Sequence, residues 1–418
     1  MKRRALALPV ACLAVLLAAC GSTTGVSSSN TDPGPVIALP TPSAPASGKP
    51  LQVFYFNEEG ASAAASSPES YQAAEAAVDY INKNLGGVKG RPFQLIHCAS
   101  LGTPDSVTNC ANRAVDAKPD VVVNGTDTAS AAAVPILAGA NIPFINLNTG
   151  DPAALTDPNT FVLTAGNAPL LAGPIAYAKE QGFKNVGVIY TNVTSLTNAV
   201  DSVVSKFAAR EGINLTTVPV PVTTGDLTPA YSSLLAKKVD AIEVVTSTGQ
   251  CAAALKARQS LADTHPLFMS TPCSGSLTTV PSSVSDKTII LTADTSAVAT
   301  NKDTQLYRAA MKAYQPGAET KNFAPLGFAS IMDLYNALET TTDPASLDAA
   351  SVKKTLQTAK QVPLFLAGDT TFTCGQHLFA NAPSACMGSV FLVKYDAGAG
   401  TFTLTKSYDM AQPLNGIA

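Results

Sequence analysis

The sequence predicts an α/β protein built from two doubly wound lobes with parallel sheets. Short β-branched or aromatic runs alternate with helical stretches from residue 51 to about residue 291, as in consecutive βαβ units. The alternation occurs twice, and the second series begins after Phe161-Val162-Leu163-Thr164. Several runs end in polar loops, and parallel strands bring such loops together at one sheet edge, where α/β folds bind small ligands.

The composition favours a globular protein that does not bind nucleic acid. The chain has 418 residues, of which 46% are hydrophobic and 14% charged, so it can form a sizeable core. Its formal net charge is −3, and no basic patch stands out. No Walker loop, C₂H₂ finger or RNP motif occurs. We therefore expect no nucleic acid partner and no cofactor.

The N-terminus predicts export and lipidation. Lys2-Arg3-Arg4 precedes a short apolar stretch, which ends at Leu17-Ala18-Ala19-Cys20-Gly21. The last five residues resemble a bacterial lipobox, in which the cysteine is diacylated. We predict a signal peptide at 1–19 and an extracytoplasmic lipoprotein, anchored to the cell membrane through Cys20. An ordinary secretory signal with a chance cysteine is the alternative.

The next stretch predicts a flexible tether. Residues 20–50 begin with the lipidated cysteine and are rich in Ser, Thr, Gly and Pro, with few charges. Such a composition buries little apolar surface and tends not to order itself.

Six further cysteines predict disulfide bonds. An even number of cysteines in an exported chain favours disulfides, and six allow 15 pairings. We choose the local pairing, because it closes short loops without linking distant segments: Cys98–Cys110, Cys251–Cys273 and Cys374–Cys386. Metal binding is disfavoured, since no C-x-x-C pair occurs and the three histidines lie far apart in sequence.

The first lobe is predicted from strands at 51–56, 93–97, 121–123 and 142–145. The helices between them are predicted at 69–84, 104–117 and 129–140. The first strand ends in the polar loop that contains Asn57 and Glu58. The polar loops after the third and fourth strands are Asn124 to Thr128 and Asn146 to Pro152. All three loops are expected at the ligand-binding edge.

The second lobe is predicted from strands at 186–190, 215–218, 241–245, 267–270 and 288–291. The helices of this region are expected at 168–181, 194–211, 228–237 and 249–262, followed by helices at 303–314, 323–340 and 348–359. The tail alternates like hairpin strands, at 370–372, 389–395 and 401–406.

Several sequence segments resemble those of a known protein family. The segment AAEAAVDYINKNLGGVKGRPFQLI (73–96) resembles the Ile-Asn and Gly-Gly motif of type I periplasmic binding proteins of the branched-chain amino acid ABC transporter class (leucine/isoleucine/valine-binding protein-like). The segments VVVNGTDTASAAAVPILAGANIPFIN, FKNVGVIY and FAPLGFASIMDLYNALE are similar to further parts of that family. The resemblance covers about residues 51–410.

The resemblance implies an architecture and a mode of action. Two lobes, 51–164 plus 293–366 and 165–292 plus 367–418, are joined by a hinge with three crossovers, near Thr164, Thr292 and Leu366. A small molecule binds between the lobes, which close over it. The closed form is presented to the permease subunits of an ABC transporter.

The family's carboxylate-binding position in the first lobe falls on Asp127, with Thr128 next to it. Asp127 is alternatively only a helix cap. The second family loop maps to Asn148, Thr149 and Gly150, for which a solvated turn is the alternative.

In the second lobe, the family's aromatic position falls on Ser195, so the aromatic side chain is absent from this chain. Tyr190, at the strand end, either lines the cleft or belongs to the core.

Cys273 stands where the family has the acid that pairs with a ligand ammonium. Glu58, Glu59 or Asp127 is then the substitute acid, or the ligand is neutral or acidic. Ser247 and Thr248, beside Thr246 and Gln250, offer neutral hydrogen bonds. The candidate ligands are therefore an amino acid, a small carboxylate, an amide or a polyol.

The leading functional prediction is the solute receptor of an ABC importer. A ligand sensor of the same fold is the second prediction. An enzyme is disfavoured, because no G-x-S-x-G, H-E-x-x-H or clustered His/Cys pair occurs, and a Glu58–Asp127 acid/base pair has no specific support.

Overall fold

The computed structural model describes residues 37–42, 44–60, 66–147, 151–298, 300–342, 347–375, 378–379 and 382–417. These residues belong to one unit by their contacts, Gly34–Ala418. The predicted signal peptide and Cys20 lie outside the described residues, as do Asn148, Thr149 and Gly150.

Strands are found close to the predicted positions. They are β1 (Leu51–Glu58), β2 (Phe93–Ser100), β3 (Val121–Asn124), β4 (Phe144–Asn146), β5 (Thr160–Phe161), β6 (Asn185–Thr191), β7 (Asn214–Val220), β8 (Ala241–Val245), β9 (Leu267–Ser270), β10 (Ile289–Thr292), β11 (Val362–Pro363), β12 (Thr371–Phe372), β13 (Ser389–Asp396) and β14 (Thr401–Asp409).

Helices connect most of these strands. They are α1 (Pro68–Tyr80), α2 (Pro104–Ala117), α3 (Val134–Gly139), α4 (Pro152–Thr156), α5 (Asn167–Glu180), α6 (Thr194–Ala199), α7 (Ser205–Arg210), α8 (Thr228–Ala236), α9 (Thr248–Ser260), α10 (Ser282–Ser285), α11 (Lys302–Tyr314), α12 (Ala324–Glu339), α13 (Ala349–Gln357) and α14 (Ala411–Leu414).

Two sheets define the two lobes. The first has the order β2-β1-β3-β4-β5 and its strands are all parallel. The second has the order β14-β13-β10-β9-β8-β6-β7, in which β13 and β14 run antiparallel to their neighbours. The four residues of β3, Val-Val-Val-Asn, are all buried, because helices cover both faces of a parallel sheet. This is the predicted α/β architecture.

Three predicted helices have a mixed geometry. The helix predicted at 69–84 ends in a π-helical turn, Ile81–Leu85, after α1. The segment predicted as a helix at 129–140 begins with a 3₁₀ turn at Ser130–Ala133 before α3. The helix predicted at 194–211 contains a π-helical turn, Val200–Val204, between α6 and α7. The side-chain periodicity of a helical stretch does not distinguish these variants.

The structure contains the three disulfides of the predicted local pairing. Cys98 in β2 is bonded to Cys110 in α2, and Cys251 in α9 is bonded to Cys273 after β9. The third bond, Cys374–Cys386, closes the segment between β12 and β13.

The third crossover lies later in the chain than predicted. The N–H of Val162 donates to the carbonyl of Ser384, and the N–H of Cys386 donates to the carbonyl of Val162, each at 2.9 Å. The N–H of Cys374 donates to Ala359, just after α13. The described residues of the segment 371–386 thus pair with the first lobe, and we place the third crossover after Cys386, whereas the sequence places it near Leu366. The chain enters the second sheet only at β13.

The described part of the predicted tether, residues 37–42 and 44–50, contacts the first lobe. The N–H groups of Ser47 and Gly48 donate to the carbonyl of Gly90 at 2.9 and 3.0 Å. Arg91 Nε donates to the carbonyl of Lys49 at 2.7 Å. A segment with little apolar surface is thus ordered by pairing its backbone with the turn before β2, a contribution that composition does not reveal.

Candidate ligand-binding cleft

A cleft with a cavity of ≈ 430 Å³ lies between the two lobes. In the first lobe it is bordered by residues at the carboxyl ends of β1, β3 and β4. In the second lobe it is bordered by residues at the carboxyl ends of β6, β8, β9 and β10. This is the edge at which parallel sheets bind ligands, and the volume is typical of small-molecule sites.

Glu58, at the end of β1, provides a carboxyl group in the first-lobe wall. Its Oε2 accepts hydrogen bonds from Thr128 Oγ1 at 3.0 Å and from the Thr128 N–H at 3.4 Å. A Cβ on Gly102 would lie 2.3 Å from the carboxyl carbon of Glu58. Only glycine therefore leaves room for this carboxyl group, and Gly102 also has a φ of +68°.

Asn57 lies behind this wall and positions it. Its Oδ1 accepts from the N–H and Oγ1 of Thr126, at 3.0 and 2.7 Å. Its Nδ2 donates to the carbonyl of Ser67 at 2.7 Å. Because Asn57 is fully buried and Thr126 lines the cavity, Asn57 holds the loop that contacts the cleft.

Asp127 is also buried behind the wall. Its Oδ1 accepts the Ala129 N–H at 2.7 Å, and its Oδ2 accepts the hydroxyl proton of Ser100. Burial raises the pKa of Asp127 to about 7, and the negative charge of Glu58 adds to this shift. Asp127 thus closes an Asx-type turn with Ala129, just before the helical turn that precedes α3, while Thr126 and Thr128 on either side of it reach the cavity.

Two helices of the second lobe begin at the cleft. Ser247 is the N-cap residue of α9, and its Oγ is buried without a hydrogen-bond partner among the described residues. Asn167 is the first residue of α5; it is 5% exposed, and its Nδ2 likewise lacks a partner in the described part of the chain. Helix N-termini carry free N–H groups and partial positive charge. This wall can therefore donate hydrogen bonds to acceptor atoms of a ligand.

Gln250 orders the outer part of the same wall. Its Oε1 accepts from Thr191 Oγ1 at 2.7 Å, and its Nε2 donates to the carbonyl of Pro221 at 2.9 Å. Thr191 and the neighbouring Val222 line the cavity, whereas the buried Gln250 does not.

The Cys251–Cys273 disulfide lies beneath this wall. Both cysteines are fully buried, and Cys273 Sγ is 3.9 Å from Oγ1 of Thr246, which lines the cavity. The disulfide fixes the first turn of α9 to the turn after β9. It brings no charge to the cleft.

The ionisable side chains of the described lining are two acids. They are Glu58 and Asp294, the latter just after β10. Asp294 accepts the Ser296 N–H at 2.8 Å, and burial raises its pKa. Apolar side chains form much of the remaining wall, and they include Leu101, Leu147, Leu170, Leu196, Phe323 and Leu326.

A family model described as "Periplasmic binding protein" matches residues 56–398. The chain belongs to the periplasmic binding protein family. Its fold is that of the type I, branched-chain amino acid class, whose members are extracytoplasmic solute-binding proteins of ABC transporters. A comparison with curated protein sequences finds no match.

Solved structures of other periplasmic binding proteins share this fold. One is a fatty acid ABC transporter substrate-binding protein from Thermomonospora curvata, with 16% identity over 89% of this chain and 97% of the other, at a TM-score of 0.73. Another is the branched-chain amino acid transporter substrate-binding protein LivJ from Streptococcus pneumoniae in complex with isoleucine, with 16% identity over 86% and 99% of the two chains, at a TM-score of 0.66. At these identities the similarity establishes the fold alone.

The structure of this periplasmic binding protein brings five predicted residues to the cavity wall: Glu58, Thr128, Ser195, Thr246 and Ser247. Asn57, Asp127 and Tyr190 are buried behind it, and Thr248 is not among the lining residues. Tyr190 packs in the core of the lobe. Glu59 faces His97, whose Nε2 lies 2.9 Å from Glu59 Oε1, and does not line the cavity.

Sequence reasoning missed the apolar lining, together with Asn167 and Asp294. A leucine that lines a cleft is of the same type as one in a core, so no pattern separates them. Asn167 and Asp294 lie just after the first and second crossovers. Within the described ranges no group of three or more His, Cys, Asp and Glu side chains is placed to hold a metal ion. No helix there is long and apolar enough to cross a membrane.

Proposed function

We propose that this protein is a lipid-anchored solute receptor, which captures a small molecule by hinge closure and delivers it to the permease of an ABC importer. The observation that carries the proposal is the ≈ 430 Å³ cleft, whose walls come from both lobes. A ligand that contacts both walls only when they approach each other favours the closed form, and the permease can recognise that form.

The ligand differs from a standard branched-chain amino acid. The family resemblance places the acid that pairs with the ligand ammonium at Cys273, and here that residue is bonded to Cys251. An ammonium group at this point of the cleft lacks a carboxylate partner, and burying an unpaired charge is costly. Standard amino acids are therefore expected to bind weakly.

A thermal-shift screen tests the binding function. The chain has no Trp, so unfolding is followed by a hydrophobic dye or circular dichroism. A ligand present at 100 times its Kd stabilises the folded protein by about 2.7 kcal/mol. We expect stabilisation by members of a library of amino acids, amines, small carboxylates, amides and polyols, and compaction of the protein in small-angle scattering with the best ligand. No stabilising compound and no compaction would overturn the proposal.

The route of the bound ligand is tested in the producing cell. Deletion of the gene is expected to abolish uptake of the identified ligand. Expression of the protein with its unaltered cleft in the deletion strain is expected to restore this uptake. Normal uptake in the deletion strain would instead favour the sensor.

Lipid anchoring is tested with Cys20→Ser. The wild-type protein is expected in the membrane fraction and the variant in the soluble extracytoplasmic fraction, since acyl chains supply the membrane affinity. Residues 21–36, which precede the described chain, span at most about 55 Å when fully extended. The receptor would then reach the permease only within that distance of its lipid. Equal membrane retention of both proteins would contradict the anchor.

A further inference from the structure

The distribution of polar groups in the cleft indicates which chemical class of ligand it takes, an inference that depends on the solute-receptor function proposed above. The two walls are not equivalent. The first-lobe wall carries the carboxyl group of Glu58, and the second-lobe wall carries Ser247 and Asn167 at the starts of two long helices.

Glu58 is held so that part of its carboxyl group is free. Thr128 donates to Oε2, while none of the described hydrogen bonds ends on Oε1. Glu58 is only 4% exposed, and no Lys, Arg or His side chain in the described ranges lines the cavity. A buried carboxylate without a positive partner is unfavourable, so a ligand cation at this point stabilises the complex.

The opposite wall has the complementary need. Ser247 Oγ and Asn167 Nδ2 are buried without a partner in the described structure. An unsatisfied buried polar group costs about 1–3 kcal/mol, which a ligand acceptor removes on binding. The free N–H groups at the starts of α5 and α9 add partial positive charge, which favours an acceptor such as a carbonyl oxygen.

The space between the walls is large and mainly apolar. Leucine, valine and phenylalanine side chains from both lobes border it, and its volume is ≈ 430 Å³. An apolar cavity of about 150 Å³ already binds benzene, so this cleft accommodates a larger hydrophobic body.

We propose that the cleft selects a hydrophobic organic amine that carries a hydrogen-bond acceptor. The ammonium group contacts Glu58 in the first lobe, the apolar body fills the cavity, and the acceptor contacts Ser247 and Asn167 in the second lobe. An anionic ligand is disfavoured, because the ionisable side chains of the described lining, Glu58 and Asp294, are both acids.

Matched compounds test the charge requirement. Octyl, 3-phenylpropyl and 2-cyclohexylethyl skeletons are each compared as the primary amine, the alcohol and the carboxylate, by thermal shift and calorimetry near neutral pH. We expect the amines to bind tightest and the carboxylates not at all. 8-Aminooctanamide is expected to bind more tightly than octylamine, because only the former has an acceptor for the second lobe.

Variants assign the two contacts. Glu58→Gln is expected to weaken amine binding about tenfold to a hundredfold and to leave alcohol binding unchanged. Glu180→Gln is the control, because Glu180 is exposed, pairs with Lys406 and does not line the cavity. Ser247→Ala is expected to weaken 8-aminooctanamide more than octylamine.

Three results would overturn the inference: alcohols or carboxylates that bind as well as the amines, amine affinity that survives Glu58→Gln, or no binding by any amine. In each case the receptor function stands if other compounds of the wider library bind and compact the protein. If nothing in that library binds, both the inference and the proposed function fail.

Discussion

Replacing Glu243 is expected to stabilise the protein in a manner that depends on pH. Glu243 lies in β8, the fifth strand of the second sheet, with Val188 of β6 and Phe268 of β9 as its register partners. Its side chain is fully buried, and neither carboxyl oxygen has a hydrogen-bond partner among the described residues. This burial raises the pKa of Glu243 well above its ordinary value of 4.5.

The size of the effect follows from the proton that the folded state retains. Between pH 4.5 and the raised pKa, the folded chain binds this proton and the unfolded chain releases it, so stability falls as pH rises. Each pH unit in this window costs about 1.4 kcal/mol. Because the folded pKa lies well above 4.5, the cost grows across this window and is larger at pH 7 than at pH 5.

Urea unfolding followed by circular dichroism measures this cost. Glu243→Gln removes the titration, so it is expected to raise the free energy of unfolding more at pH 7 than at pH 5. Glu180→Gln is the control, because Glu180 is 44% exposed in an ion pair with Lys406 and should change stability by less than about 0.5 kcal/mol. A gain from Glu243→Gln that is equal at both pH values would refute the reasoning.

Three further substitutions test the cleft and its supports. Gly102→Ala is expected to weaken ligand binding about tenfold, because the added Cβ would lie 2.3 Å from the carboxyl carbon of Glu58. Gly182→Ala is the control: Gly182 has a φ of +78°, but an added Cβ would meet no atom within 4 Å, so this variant should bind ligand normally. Equal ligand binding by the two variants would contradict the prediction. Serine at both Cys251 and Cys273 should lower the free energy of unfolding by about 3 kcal/mol, from loop closure over a separation of 22 residues, and an unchanged urea midpoint would count against it. Asn57→Ala leaves buried partners unsatisfied and should cost about 2 kcal/mol, whereas a stability equal to wild type would show that the loop it holds is fixed by other contacts.

The fold was predictable because each strand carries local information. Runs such as Val121 to Val123 are apolar and β-branched, and polar residues follow at once, which marks both a buried parallel strand and its carboxyl end. The tail hairpin was predictable for a similar reason, since its glycines mark the turn before β14. The position of the third crossover was not, because it depends on backbone pairing between Val162 and Cys386, residues far apart in sequence.

The site was predictable only where it coincides with strand ends. Glu58 is the last residue of β1, whereas Thr128, Ser195 and Ser247 follow strands of the two sheets. The structure places all four on the cavity wall. Whether a polar residue in such a loop faces the cavity or lies behind it was not predictable. Asp127 lies between two lining threonines, yet its carboxyl group is buried against the Ala129 N–H and Ser100, and only the three-dimensional path of the loop decides this.

The connections between the lobes indicate which contacts a ligand uses to drive closure. In the second connection, the N–H and Oγ1 of Thr295 both donate to the carbonyl of Leu366, so the chain beyond Thr295 is fastened to the first lobe. We therefore expect bending at the few residues after β10, which include Asp294. In the first connection we expect it at Gly166, whose φ of +76° is accessible to glycine.

A contact within a hinge segment changes little when the lobes rotate, so a ligand held only by Asp294 gains nothing from closure. Glu58 and Ser247 lie on opposite lobes, and the distance between them shortens as the cleft closes. A ligand that spans these two residues binds the closed form more tightly than the open form, and this differential affinity is what a receptor needs in order to signal its occupancy to a permease.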